Sequence, residues 1–199
     1  KWIEAISIQD LGEIRAIERG REIVSKMVSD ASREFRKSFP VSELVVGTKC
    51  GASDFTSGIV SNPAVGYAVD MLIREGGTAI LAETLEILGA EHYLAERAVD
   101  ERVAREVVEV VERALEKARE MGADLLGSQP SAGNIRGGIT TIEEKSLGAV
   151  KKGGSSRLVG VLKYGERPEG RGLFFMDTPG FDVQCLSGLV AGGVQVVLF

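Results

Sequence analysis

The chain has one histidine and two cysteines in 199 residues, and each scarcity closes off a class of function. A zinc knuckle needs closely spaced pairs of cysteine or histidine, whereas Cys50 and Cys185 stand far apart and His92 is alone. Two cysteines cannot frame a disulfide-stapled domain either, so a reducing, cytoplasmic setting is expected. Any Ser-His-Asp or Cys-His arrangement has to use His92. No apolar run approaches the roughly 20 residues of a membrane-spanning helix. The start, Lys1-Trp2-Ile3-Glu4, lacks the apolar core of a secretory signal. Basic charge is short as well: 24 Lys and Arg against 29 Asp and Glu give a net charge of -5 and a pI near 5.1. General nucleic-acid binding rests on clustered Lys and Arg, so neither nucleic acid nor membrane is expected as a partner.

What remains is a globular composition, 44% hydrophobic and 27% charged, long enough for one good-sized core. Short apolar runs alternate with helical patterns. Leu44-Val45-Val46 breaks into the polar stretch Gly47-Thr48-Lys49-Cys50-Gly51-Ala52-Ser53-Asp54-Phe55-Thr56-Ser57-Gly58 before Asn62-Pro63 opens a helix. Thr78 to Ala82 delivers Glu83-Thr84, Gly172 to Met176 delivers Asp177-Thr178-Pro179-Gly180, and Val194 to Phe199 closes the chain. Such alternation predicts an α/β fold with a mostly parallel central sheet and helices on both faces, Rossmann-like. In such sheets ligands bind in the crevice outside the carboxyl ends of the strands, where these polar loops converge.

The helical segments follow from apolar spacing. Residues 1–43 read as a helical segment packed on the sheet, from Ile8 to about Phe39 with a break near Gly20, and Pro40 ends it. The helix after Asn62-Pro63 stops at Gly76-Gly77. A long charged helix is expected from Glu91 to Met121, with a valine stripe on one face. From Gly127 to Gly138 turn formers dominate and a long loop is expected. Thr141 followed by Glu144 has capping-box spacing for a helix ending near Lys152. A polar connection then leads to the strand at Gly172, and a short helix runs through Leu186 to Val190.

Several residues in the loops carry chemistry. Cys50 sits between a strand and a helix, where backbone N–H groups can lower a thiol pKa, so it is a candidate nucleophile or soft metal ligand, or a small buried residue. His92, in the first turn of a helix, is placed to stay neutral and to bind metal or take a proton. Carboxylates such as Glu83, Glu144 and Asp54 suit a hard cation or acid-base work. Lys49, Arg136 and Lys145 are cations in the same loops, and the mixture suits a small polyhydroxylated anion. Asp177-Thr178-Pro179-Gly180 looks like the magnesium-bearing motif of GTPases, but no GxxxxGK[ST] phosphate loop accompanies it.

Taken in order, Gly47 to Gly58, Asn62 to Gly66, Ala82 to His92, Gly133 to Gly148, Lys152 to Gly154, Met176 to Gly180 and Ser187 to Val190 resemble the altronate and galactarate dehydratase family of sugar-acid hydro-lyases. The resemblance covers residues 44–199 and implies an enzyme that removes water from a sugar acid to give a 2-keto-3-deoxy acid. It implies a divalent metal, Fe2+ or Mn2+, acting as a Lewis acid. On that basis Cys50, Glu83, His92 and Glu144 are the catalytic candidates, and the first three of them the metal ligands. Lys49, Ser53, Asp54, Asn134, Arg136 and Lys145 are the substrate-binding candidates. Ala52 departs from the family pattern, which is expected to have glycine there. Family enzymes are larger, so the chain is read as the C-terminal catalytic portion, truncated inside its last strand. An upstream domain or small subunit, or a second copy of the chain, is then a partner. A relative that eliminates sulfite from sulfolactate shares these motifs. A non-catalytic piece that completes a site with another polypeptide is the other alternative.

Overall fold

The computed structural model describes residues 3–199, Leu126 by its backbone alone. They form two compact units, Lys1–Phe39 and Pro40–Phe199. In the first, the Ser7 side chain accepts from the Asp10 N–H and starts α1 (Ile8–Leu11), which Gly12 separates from α2 (Glu13–Ala31). The break expected near Gly20 thus falls at Gly12, whose φ of +75° suits a residue without Cβ. The helix also ends at Ala31 and not beside Pro40, since residues 35–39 adopt no regular structure.

The second unit is built on five strands: β1 (Val45–Thr48), β2 (Thr78–Leu81), β3 (Leu158–Leu162), β4 (Gly172–Met176) and β5 (Val196–Leu198). Every pairing is parallel, in the order β3-β4-β2-β1-β5. That order is not the 3-2-1-4-5-6 of the dinucleotide-binding fold. The likeness to that fold therefore stops at a parallel sheet with helices on both faces. Strand β3 corrects the polar connection expected before Gly172. Leu158-Val159-Gly160-Val161-Leu162 is an unbroken apolar run, hidden in the sequence by the charged and glycine-rich stretches on both sides.

Between the strands lie α3 (Asn62–Arg74), α4 (Glu91–Ala95), α5 (Glu101–Glu120), α6 (Leu125–Ser128), α7 (Ala132–Arg136), α8 (Ile142–Val150) and α9 (Asp182–Ala191). The single helix expected over residues 91–121 is two, because the Asp100 side chain accepts from the Val103 N–H and starts α5 afresh. The valine stripe holds: Val103, Val107, Val110 and Val111 are buried, and Arg102 and Glu106 pair at 2.7 Å on the outer face. The loop expected over residues 127–138 contains α7, which Ser131 and Asn134 cap reciprocally. Ser131 to Asn134 has the spacing of a capping box, with asparagine in the place of the usual Glu or Gln.

The alternation of side chains along the strands divides the core in two. Ala79, Leu81, Leu173 and Phe175 pack with α3 and α5 residues on one face, while Ile80, Phe174 and Met176 pack with Cys185 and Leu189 of α9 on the other. The β4–α9–β5 connection passes β2 and β1 to reach the far edge. Four strands therefore deliver their carboxyl ends, with Lys49, Glu83, Asp177 and Phe199, to one rim of the sheet. No helix of the described residues is long and apolar enough to cross a membrane.

Candidate functional site

Beyond the ends of β1 and β2 lies a cleft of about 350 Å³, lined among others by Lys49, Cys50, Ser53, Glu83, Asn134 and Lys145. Its floor is an ion cluster. Glu83, only 1% exposed, receives Lys49 Nζ on Oε1 at 2.6 Å, and Lys152 Nζ at 3.3 Å with the Cys50 N–H at 2.6 Å on Oε2. Both lysines are buried too. Removing such charges from water costs several kcal/mol per ion unless they are mutually paired and hydrogen-bonded, as these are. Burial would lower the Lys49 pKa, but the Glu83 and Asp182 carboxylates outweigh it and hold the ammonium above its ordinary 10.5.

The backbone is bent to make this cluster. Glu83 has φ +76°, among the described residues the left-handed conformation of a non-glycine residue. Its N–H donates to Thr178 Oγ1 at 2.7 Å, and the Thr84 N–H donates to the Thr178 carbonyl at 3.0 Å. Thr84 Oγ1 in turn donates to Asp177 at 2.7 Å. The residues after β4 thus hold those after β2, and the left-handed turn points the Glu83 carboxylate at the lysines. Lys49 is fixed by its neighbour strand, its N–H donating to the Leu198 carbonyl of β5 at 2.9 Å.

Lys152 was not expected in the site, and its place comes from the turn after α8. Asp70 of α3 accepts from the N–H and hydroxyl groups of Ser155 and Ser156, and Arg97 donates to the Gly154 carbonyl. Gly66 lets α3 lie against this turn, since a Cβ there would run into the Lys151 carbonyl oxygen. The sequence signal was Lys151-Lys152-Gly153-Gly154, a lysine pair before a glycine stop.

Across the cleft, Lys145 donates to Glu86 Oε1 at 3.0 Å and Gln129 Oε1 at 2.9 Å. The other oxygen of Glu86 is buried without a hydrogen-bond partner. Cys50 Sγ is 3.0 Å from Ser53 Oγ. Asn134 donates to the Ser53 carbonyl at 2.9 Å, tying α7 to the loop after β1.

The other candidates lie elsewhere. His92 is exposed, its ring 4.3 Å from that of Tyr93, and it is outside the cleft lining, as is exposed Arg136. Asp54 and Glu144 line a neighbouring hollow of about 260 Å³ that shares Ser53 and Lys145 with the cleft. Both serve as local caps. The Thr56 hydroxyl, with the Ser57 and Thr56 N–H groups, holds the Asp54 carboxyl below its usual range. The Thr140 hydroxyl and N–H do the same for Glu144. The capping box expected between Thr141 and Glu144 is half formed, since Thr141 accepts from the Glu144 N–H while the Glu144 carboxylate reaches Thr140.

The set Cys50, Glu83 and His92 does not fit a divalent metal. Both Glu83 oxygens are taken by two ammonium groups and an N–H, and among the described residues no three His, Cys, Asp or Glu side chains are grouped to hold a cation. The same cluster suits an anion, because Lys49 is held at a fixed position on the cleft lining.

Residues 41–199 match the family model described as D-galactarate/altronate dehydratase, C-terminal. The chain is 39% identical over 197 residues to galactarate dehydratase (L-threo-forming) of Escherichia coli strain K12, covering 98% of this chain and 38% of that protein. It is 38% identical to altronate dehydratase of Bacillus subtilis strain 168, covering 100% of this chain and 39% of the relative. Subunit beta of the (2R)-sulfolactate sulfo-lyase of Chromohalobacter salexigens is 40% identical over 201 residues, covering 100% of this chain and 52% of that subunit. The chain thus spans from about two fifths to half of the length of these relatives.

Proposed function

Since the chain belongs to the D-galactarate/altronate dehydratase family, as its C-terminal domain, we propose that the cleft is the carboxylate end of a hydro-lyase site for a sugar acid. The observation that carries this reading is the buried Lys49–Glu83–Lys152 cluster at the floor of the cleft. Within this trio two ammonium groups against one carboxylate leave one positive charge, which the exposed Asp182 balances at Lys49 and which a substrate carboxylate would match. Lys49 lines the cleft and meets the ligand; Lys152 approaches Glu83 from outside the lining and positions it.

Elimination next to a carboxylate proceeds by loss of the proton on the carbon bearing it, formation of the carbon–carbon double bond and departure of the neighbouring hydroxyl as water. The enol so formed tautomerises to the 2-keto-3-deoxy acid. Charge builds on the carboxylate oxygens as the proton leaves, and Lys49 stabilises it there. Glu83, with both oxygens occupied by two lysines and an N–H, keeps the lysines in place. Glu86 is the better acceptor for a substrate proton or hydroxyl, because its Oε2 is buried with no hydrogen donated to it. Cys50 and Ser53 lie beside Lys49, and Asn134 orients their loop. No step is assigned to a metal, since Glu83 has no free oxygen to offer it.

The full-length protein should form 2-keto acid from galactarate or altronate, read in the ultraviolet, and Lys49→Met should raise KM at least tenfold. A Lys49→Met enzyme with wild-type KM would remove the lysine from the site. Sulfite release from sulfolactate is a second reading, favoured by the match to the sulfo-lyase subunit over the whole chain. Sulfite and pyruvate formed from sulfolactate, with no keto acid formed from galactarate or altronate, select it. In either case the larger relatives point to further domains or a partner subunit completing the site.

A further inference from the structure

An ammonium group has three protons to donate, and Lys49 has three oxygens around it, two in hydrogen bonds and one in an ion pair. Nζ is 2.8 Å from the Cys50 carbonyl, 2.6 Å from Glu83 Oε1 and 3.0 Å from Asp182 Oδ1. A ligand carboxylate can reach Lys49 only by taking the place of one of these. The Cys50 carbonyl belongs to the adjoining peptide and cannot leave. Glu83 is 1% exposed, held also by Lys152 and the Cys50 N–H, on a backbone locked by Thr178. Asp182 differs on every count. Its side chain is 63% exposed, it has no polar partner besides Lys49 among the described residues, and it stands on the first residue of α9, lining the cleft beside Gly180.

We infer that Asp182 holds the position of the ligand's carboxylate on Lys49 and is displaced when an acidic ligand enters the cleft. The inference rests on the reading of the cleft as a sugar-acid site. Charge supports it. With Asp182 in place the cluster of Lys49, Lys152, Glu83 and Asp182 is neutral, and with Asp182 swung out it regains one positive charge for one incoming carboxylate. Uncharged polyols cannot make this exchange, because nothing in them replaces the lost anion. Asp182 therefore acts on acidic ligands alone: it lowers their affinity through the fraction of molecules whose Lys49 is free, and a neutral ligand, which does not displace it, is unaffected.

The test uses the full-length enzyme, with Asp182→Asn and, as a second variant keeping a good helix start, Asp182→Ser. Binding of tartrate, a short hydroxy acid, is measured by calorimetry beside that of galactitol, an uncharged polyol, with any keto acid formed from tartrate followed in the ultraviolet so that binding is separated from turnover, together with KM for the sugar acid. An ion pair with so exposed a partner is weak, so tartrate should bind about fivefold tighter to both variants and KM should fall by about the same factor. Galactitol binding should not change. Equal or weaker tartrate binding overturns the displacement, and so does an equal gain for galactitol, which would mean a wider cleft and no ionic exchange. A fall in kcat with KM unchanged also overturns it and moves Asp182 to proton transfer. If the wild-type enzyme turns over no sugar acid, the dehydratase reading fails, and the tartrate comparison still decides the role of Asp182.

Discussion

Two carboxylates hold the same short turn after α8, and they do it by opposite means. Glu83 faces Lys152 and Lys49, a buried charge neutralised by charge. Asp70 of α3 meets the same turn three residues beyond Lys152, where it accepts from the N–H and hydroxyl groups of Ser155 and Ser156, with no ammonium or guanidinium of the described residues in hydrogen-bond contact. If stability alone were the requirement, the second solution suffices, since neutral donors satisfy a carboxylate without burying a cation. Buried ion pairs are weak evidence for stability. A cluster of three buried charges at a cleft is thus better explained by a ligand than by the fold.

The largest expected effect comes from removing the anion of the charged cluster. Glu83→Ala leaves buried Lys152 unpaired and buried Lys49 with only the exposed Asp182, and should cost about 3–5 kcal/mol in denaturant unfolding. Glu83→Gln should cost nearly as much, because it keeps the shape and loses the charge. Asp70→Ala should cost less, about 1–3 kcal/mol, for the unsatisfied donors it leaves. Asp70→Asn should recover a good part of that, and if the two amide variants behaved alike the contrast between charge and hydrogen bonding would collapse.

The two carboxylate sites should also separate in pH. Burial works against the Asp70 carboxylate, but the Ser155 and Ser156 donors outweigh it and depress its pKa below 3.8. Its contribution to stability is then present above 3.8 and lost as pH falls through the lower folded value. Lys49 is raised above 10.5, so its contribution is present below 10.5 and lost as pH rises through the higher folded value. Unfolding curves of Asp70→Asn and Lys49→Met against pH should converge on wild type at the acid and alkaline ends respectively. The smallest effect belongs to His92→Ala, an exposed position at which stability should change by no more than about 0.5 kcal/mol. A large loss of activity in this variant, with that stability, would place His92 in the site through a part of the protein beyond these residues.

The parallel sheet was legible because apolar runs and helical stripes alternate, and four of the five strands could be placed from them. Strand β3 was not, since its five apolar residues sit inside charged sequence. Of the site, Lys49, Cys50, Ser53, Glu83, Asn134 and Lys145 share the cleft lining, the first four from loops that leave β1 and β2 and the last two from α7 and α8. Lys152 and Asp182 escaped because their roles depend on distance in space, 69 residues separating Lys152 from Glu83 along the chain. Nothing in a sequence marks which of many lysines is buried. Asp54 and Glu144 were drawn in by their charge, and the structure spends both on neighbouring hydroxyl and N–H groups.

Strand β1 takes one of its two neighbours from the far end of the chain. The Val45 N–H donates to the Gln195 side chain, 150 positions away, and Val46 pairs with Val196. A ribosome adding about 5–20 residues per second therefore leaves the β5 side of β1 unpaired for roughly 8–30 s while β2 is already available on the other side. Because the Lys49 N–H rests on the Leu198 carbonyl, the lysine is also anchored only at the last strand. Until β5 emerges, nascent chains should expose the β5 side of β1 as a sticky strand edge, and the backbone anchor of Lys49 should form only then.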